Sequence, residues 1–238
     1  MTDSISYTVS DLVFAAHPDY RVAVVQADGV HNGPSQPDLV NLFDRACAEV
    51  RSRIELETVA THERIRPWRE AFRAFGAKPS DFRPSVEALV RRAARDTLAP
   101  LSRLVDIGTV ISLRHLVPVG GHALEDVEGP IMLRPATGFE VFQPAGPGAA
   151  EHPLPGELIL AERDTVLTRR WVWRQAVRTS LKDGTRRLFY NVDVLSAAPD
   201  LDPGTVGAEL ARLLSAYAGG ECTVSVLDAA HPSLELAL

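Results

Sequence analysis

The chain has 238 residues, 45% of them apolar and 24% charged, with a net charge of −6. That length and balance suffice for a full hydrophobic core without metal or disulfide staples, and they exclude an extended disordered chain. The negative total excludes a protein that coats nucleic acid through a general positive field. Arginines gathered over residues 51–95 and 169–187 are compatible with a local basic face or with solvated helix faces and their counterions.

In chain order, the first twenty residues lack a basic start and carry acids inside their only apolar stretch, so no secretory leader is expected. No run is long and apolar enough to span a bilayer, and a cytoplasmic protein without membrane attachment is the expectation. RVAVVQADGV (21–30) is a dense β-branched run closed by Asp28-Gly29 and predicts a buried strand. Pro37-Asp38 then opens a helix whose apolar positions Leu39, Leu42, Phe43, Ala46 and Val50 recur at helical spacing. Trp68, Phe72 and Phe75 predict a short amphipathic helix ended by Gly76, and a further helix starts at Arg83-Pro84-Ser85, with Val86, Leu89 and Val90 as its buried stripe. Arg83 and Glu87 read there as an ion pair within one helix.

From Leu104 the texture turns to β. LVDIGTVISL (104–113), IMLRPA (131–136) and FEVFQP (139–144) read as strands, with PVGG (118–121) as a turn. Residues 144–157 are rich in Pro and Gly and predict a loop, either a boundary between two sub-lobes or a surface excursion from one domain of 1–238. ELILAERD, VLTRRWVWRQAVRTSL and TRRLFYNVDVL then predict successive strands, with Asp183-Gly184 as a hairpin turn. A last helix over 204–218 and a strand CTVSVLD complete the chain. The fold class expected is α+β, mixed β-sheets flanked by helices.

The sequence carries no Gly-x-Ser-x-Gly elbow, phosphate-binding glycine loop, His-Glu-x-x-His or Cys-x-x-Cys. Cys47 and Cys222 stand far apart and read as two buried thiols, and the histidines lack ligand spacing, so neither metal nor organic cofactor is expected.

Three segments stand out: FRPSVEALVRR (82–92), LVDIGTVISLRHLVPVGGHALEDVEGPIMLR (104–134) and RRWVWRQAVRT (169–179). In this order and spacing they resemble the B3/B4 editing domain of the bacterial phenylalanyl-tRNA synthetase beta subunit, especially the free-standing proteins built from it, from about Trp68 to Leu195. The resemblance implies a pocket where the Val105-Asp106 segment, the Pro118 turn, the strand 171–175 and the strand after Thr185 meet. It also implies ester hydrolysis by a positioned water without a protein nucleophile. Position by position, Gly120 stands where the synthetase has a histidine, with His122 two places on. Asn191 falls near the glutamate that reads the tyrosine hydroxyl, and Thr109 near an asparagine. The amino-acid preference is therefore expected to differ from the synthetase's.

His122, after two glycines, is a candidate to position a water or a surface loop histidine. Asp106 is a candidate to orient a substrate amine or to make a structural hydrogen bond. Gly120 and Gly121 permit close backbone approach to a ligand. Trp171 and Trp173, sharing one face of an expected strand, are candidates to line an aminoacyl pocket or to fill the core. Arg174 and Gln175 are candidates for contact with phosphate or carboxylate. The function expected is a trans-acting deacylase of mischarged tRNA, with aminoacylated tRNA as partner. The alternatives are an enzyme acting on a small amino-acid-like ligand and a non-catalytic tRNA or synthetase accessory module.

Overall fold

The computed structural model describes residues 4–146, 148–195 and 201–238. Along the chain run β1 (Ser4–Val9), α1 (Asp11–Ala16), β2 (Tyr20–Asp28), α2 (Pro37–Arg53), α3 (Arg66–Ala74), α4 (Ser85–Ala94) and α5 (Arg103–His115). Then follow β3 (Val119–Ala123), β4 (Ile131–Pro135), β5 (Leu158–Glu162), β6 (Thr165–Arg169), β7 (Arg174–Gln175), β8 (Arg187–Leu195), α6 (Pro203–Tyr217), β9 (Glu221–Leu227) and β10 (Ser233–Ala237). The α+β class read from the sequence holds.

Two sheets organise these elements. Six strands run in the order β10-β1-β4-β5-β6-β7, with β1 and β4 parallel and every other pair antiparallel. Four strands run in the order β3-β8-β2-β9, all antiparallel. One apolar core spans residues of both sheets and of the helices, including Tyr7, Tyr20, Phe43, Trp68, Phe72, Phe189 and Tyr190. A second, smaller core of Phe142, Ile159, Val166 and their alanine neighbours lies beneath β5 and β6.

The helices start and stop where local chemistry demands. Pro sits in the first turn of α2, α3 and α6, where its missing N–H leaves no orphan partner. The Asp202 carboxylate caps α6 by accepting from Thr205 N–H at 2.8 Å. Gly76, at φ 83°, carries the chain out of α3 through the left-handed region that glycine adopts without cost. On α4 the fully buried Glu87 accepts two hydrogen bonds from Arg69 Nη1, at 2.8 and 2.6 Å, and one from Arg91 Nε at 2.9 Å, while Arg83 approaches to 3.9 Å as expected.

Several expectations are corrected. Residues 104–113 are helical, within α5, which packs against α2, α4, α6 and β3. A helix enclosed on every side is apolar on every side, so its run of Val and Ile carries no amphipathic period and mimics a buried strand. The glycines of 118–121 lie in the strand β3 and do not form a turn. Residues 139–144 form isolated bridges only, at Val141, Phe142 and Pro144. The stretch 166–181 is not one strand: β6 ends at Arg169, and Arg170 and Trp171 both take positive φ, 49° and 59°, to turn the chain before β7. The Asp183-Gly184 turn joins strands of different sheets, so it closes no hairpin. Cys47 is buried, but Cys222 on β9 is only half-buried. The strands β1 and β10 and the short helix α1 went unread in the sequence.

The loop 144–157 connects β4 and β5, which pair along their whole length from Ile131 opposite Glu162 to Pro135 opposite Leu158. Its residue Pro147 lies outside the described residues. Arg169 ties the loop to β6, pairing with Glu157 at 2.7 Å and with Glu151.

Candidate functional site

A cavity of about 160 Å³ opens between the two sheets. One wall is β3 and β8, contributing Gly120, His122, Asn191 and Asp193. The opposite wall is Thr168 of β6, the turn Trp171–Trp173, and Arg174 and Gln175 of β7, with Ser85 at the start of α4 closing one side. An engineered apolar cavity of about 150 Å³ holds benzene, so this one has room for a group of that size.

Alternation along a strand explains which residues face the cavity. On β8, Asn191 and Asp193 point into it, while Tyr190 and Val192 point to the opposite face. On β3 the two glycines divide in the same way. A Cβ on Gly120 would meet nothing within 4 Å, because that side is cavity. A Cβ on Gly121 would sit 2.8 Å from Tyr190 Cδ1 and closer still to Cε1. The Tyr190 ring lies between Gly121 and Gly108 of α5, and its hydroxyl donates to Leu104 carbonyl oxygen at 2.6 Å. Glycine at 121 therefore serves helix docking, and glycine at 120 leaves space in the site.

His122 is 1% exposed and stacks on Phe189 at 5.0 Å between centroids. Its Nδ1 lies 2.8 Å from Thr179 Oγ1 and its Nε2 lies 3.1 Å from Thr168 Oγ1. Burial pushes its pKa down from 6.5 to about 3, so the ring is neutral at physiological pH. It is neither a surface nor a loop histidine. Gln175 Nε2 donates to the Gly121 and Thr179 carbonyl oxygens at 2.6 and 2.9 Å and lies 3.2 Å from His122 Nδ1. The Gly121 bond joins β7 to β3 across the gap between the sheets.

Trp171 and Trp173 do not share a face, because they belong to a turn. Trp171 packs edge-on against Trp68 and Tyr20, with centroids 5.1 and 4.8 Å away. Trp173 packs edge-on against Phe82 at 5.1 Å, and the Arg170 guanidinium lies over both Phe82 and Trp173, 3.6 and 4.4 Å from their centroids. Arg174 is exposed at the cavity edge.

Three candidates lie elsewhere. Asp106 is buried on α5, where its carboxylate accepts from Ser35 Oγ at 2.5 Å and from Leu101 N–H at 2.8 Å. Those bonds fix the chain leading into α5. Thr109 donates to Val105 carbonyl oxygen one turn back, at 2.9 Å, and Gly121 faces Tyr190. The cavity brings together the other seven: Gly120, His122, Trp171, Trp173, Arg174, Gln175 and Asn191.

Asp193 was not singled out in the sequence and proves the most perturbed acid of the site. It is 6% exposed, and burial raises its pKa from 3.8 to about 7, against the opposing pull of the Tyr20 hydrogen bond at 2.7 Å. A signal was present in FYNVDVL, where Asn191 and Asp193 put two polar side chains on one face of an otherwise apolar strand. Among the described residues no group of three or more His, Cys, Asp or Glu is arranged to hold a metal ion, and no helix is long and apolar enough to cross a membrane.

The fold is an α+β arrangement of two sheets with a small, partly open cavity between them that has apolar walls and a few polar groups. The B3/4 domain family model matches residues 67–198, more than half of the chain, and the chain belongs to that family. Among solved structures, an N-terminal fragment of the phenylalanyl-tRNA synthetase beta-subunit from Pyrococcus horikoshii is similar over 93% of this chain and 51% of its own, with 11% sequence identity and a TM-score of 0.47. The chain thus spans about half the length of that fragment. No curated protein matches the chain.

Proposed function

We propose that the chain is a trans-acting aminoacyl-tRNA deacylase whose amino-acid preference differs from that of the phenylalanyl-tRNA synthetase. The observation that carries this reading is the cavity itself: a partly open cleft in a B3/4 domain, walled by Trp171 and Trp173 and lined by His122, Gln175, Asn191 and Asp193. Aromatic walls suit an amino-acid side chain, and a few convergent polar groups fix its orientation. In the reaction, water adds to the ester carbonyl carbon, the bond from that carbon to the ribose oxygen breaks, and the water's proton passes to the departing ribose oxygen. Free amino acid and uncharged tRNA result. The protein's contribution is positioning. His122, neutral and held between two threonine hydroxyls, fixes Thr168 on the cavity wall, and Arg174 at the edge meets the phosphate of the tRNA end. The full chain 1–238 works as one unit, in the cytoplasm.

The net charge of −6 favours a second reading, a site for a small amino-acid-like ligand not joined to tRNA. A panel of tRNAs mischarged with each amino acid separates the two. The deacylase releases at least one amino acid faster than buffer does, with binding that weakens steeply as salt rises, and Trp173→Ala lowers the rate by about tenfold or more. Absence of both cleavage and tRNA binding across the panel overturns the proposal.

A further inference from the structure

Two acceptors in the cavity have no donor. Asn191 Oδ1 is fully buried and accepts no hydrogen bond; Asp193 accepts from Tyr20 through Oδ1, and among the described residues no donor reaches its Oδ2, on a side chain that lines the cavity. The two side chains stand two residues apart on the cavity face of β8. A buried acceptor left without a donor is costly, and a buried carboxylate more so. The complement to a carboxylate oxygen and an amide oxygen side by side is a cation bearing several N–H groups. A primary ammonium presents three donors and no acceptor.

We propose that Asn191 and Asp193 form the seat of a primary ammonium group, the free α-amino group of the ligand's aminoacyl moiety. The inference rests on the reading of this cavity as an aminoacyl site, whether or not the aminoacyl group is joined to tRNA. It assigns the orientation of the ligand: ammonium against β8, with the reacting carbonyl turned toward Thr168 and the turn at Trp173. A ligand whose amino group is acylated or missing is then a poor occupant.

The test compares non-hydrolysable amide analogues of aminoacyl-adenosine, one for each amino acid, with counterparts that lack the α-amino group, by calorimetry on the wild-type protein and on Asp193→Asn. Amino-acid amides without the nucleoside, each beside its deamino form, make a second series. The expected result is that wild type binds at least one amine about tenfold or more tightly than its deamino form, and that Asp193→Asn brings the two within about threefold. Equal binding of amine and deamino forms by the wild-type protein overturns the ammonium seat and leaves the deacylase reading standing. An amine preference seen only with the amino-acid amides upholds the seat and overturns the tRNA-linked reading. Failure of both series to bind overturns both. The wild-type comparison requires no variant, so a misfolded Asp193→Asn protein does not blunt it.

Discussion

The Tyr20 hydroxyl donates a 2.7 Å hydrogen bond to Asp193 Oδ1, both groups buried between β2 and β8. That single bond leaves the carboxyl undersolvated, and its pKa stands near 7 in the folded chain against 3.8 when solvated. Below about pH 3.8 the carboxyl is protonated in both states and costs nothing. Between 3.8 and 7 the unfolded chain ionises and the folded one does not, so folding stability falls as pH rises through this window and levels off above it. Asp193→Asn, which keeps an acceptor for Tyr20, is expected to match wild type near pH 3.5 and to exceed it by up to roughly 4 kcal/mol at pH 8. Urea unfolding of both proteins at several pH values checks this, and a constant difference across pH refutes it.

His122 acts in the opposite direction. Its folded pKa of about 3 lies below the solvated 6.5, so as pH falls from 6.5 to 3 the unfolded chain takes up a proton that the folded chain refuses, and stability is lost. Relative to His122→Gln, wild type is expected to lose up to roughly 5 kcal/mol across that window. The two residues face one cavity with opposed slopes, so wild type varies less with pH between about 4 and 6.5 than either variant does. The same urea series reads this out.

Adjacent glycines on β3 are expected to respond differently to alanine. Gly121→Ala forces a methyl into the Tyr190 ring, which is pinned by its bond to Leu104, and costs about 1–3 kcal/mol, or about 2–4 °C in Tm for each kcal/mol at this chain length. Gly120→Ala points into the cavity and leaves Tm within about 2 °C, while weakening ligand binding. Calorimetric melting distinguishes them.

Glu87 is fully buried between Arg69 and Arg91. Glu87→Ala removes the carboxylate shared by two half-buried guanidinium groups and is expected to destabilise by roughly 2–4 kcal/mol. Guanidinium chloride unfolding measures it, and a loss under about 1 kcal/mol contradicts the pairing.

Elements with one wet face were legible from sequence. α2 shows its period plainly in Leu39, Leu42, Phe43, Ala46 and Val50, and all five are buried. α5 was not legible, since Val105, Ile107, Val110 and Ile111 occupy a helix surrounded by other elements, and period vanishes where no face meets water. The site was half legible. The resemblance points to His122, Gln175 and Asn191, and all three line the cavity, but the letters around Trp171 and Trp173 read as a strand because nothing in them announces two consecutive left-handed residues, Arg170 and Trp171, that are not glycine. Asp193 owes its character to burial in the assembled fold, and its one hydrogen-bond partner, Tyr20, lies 173 positions away in the chain, a setting that only the pairing of β2 with β8 reveals.

Because one wall of the cavity travels with β3 and β8 and the other with β6 and β7, its width belongs to neither sheet. Gln175, holding Gly121 on the far side, and Thr168, bonded to His122, are stitches across the seam. The cavity therefore works as a caliper on the separation of the sheets. A substitution in the shared core that changes that separation is felt as a change in affinity far from where it was made, and an occupant that fills the gap braces two layers of the fold at once.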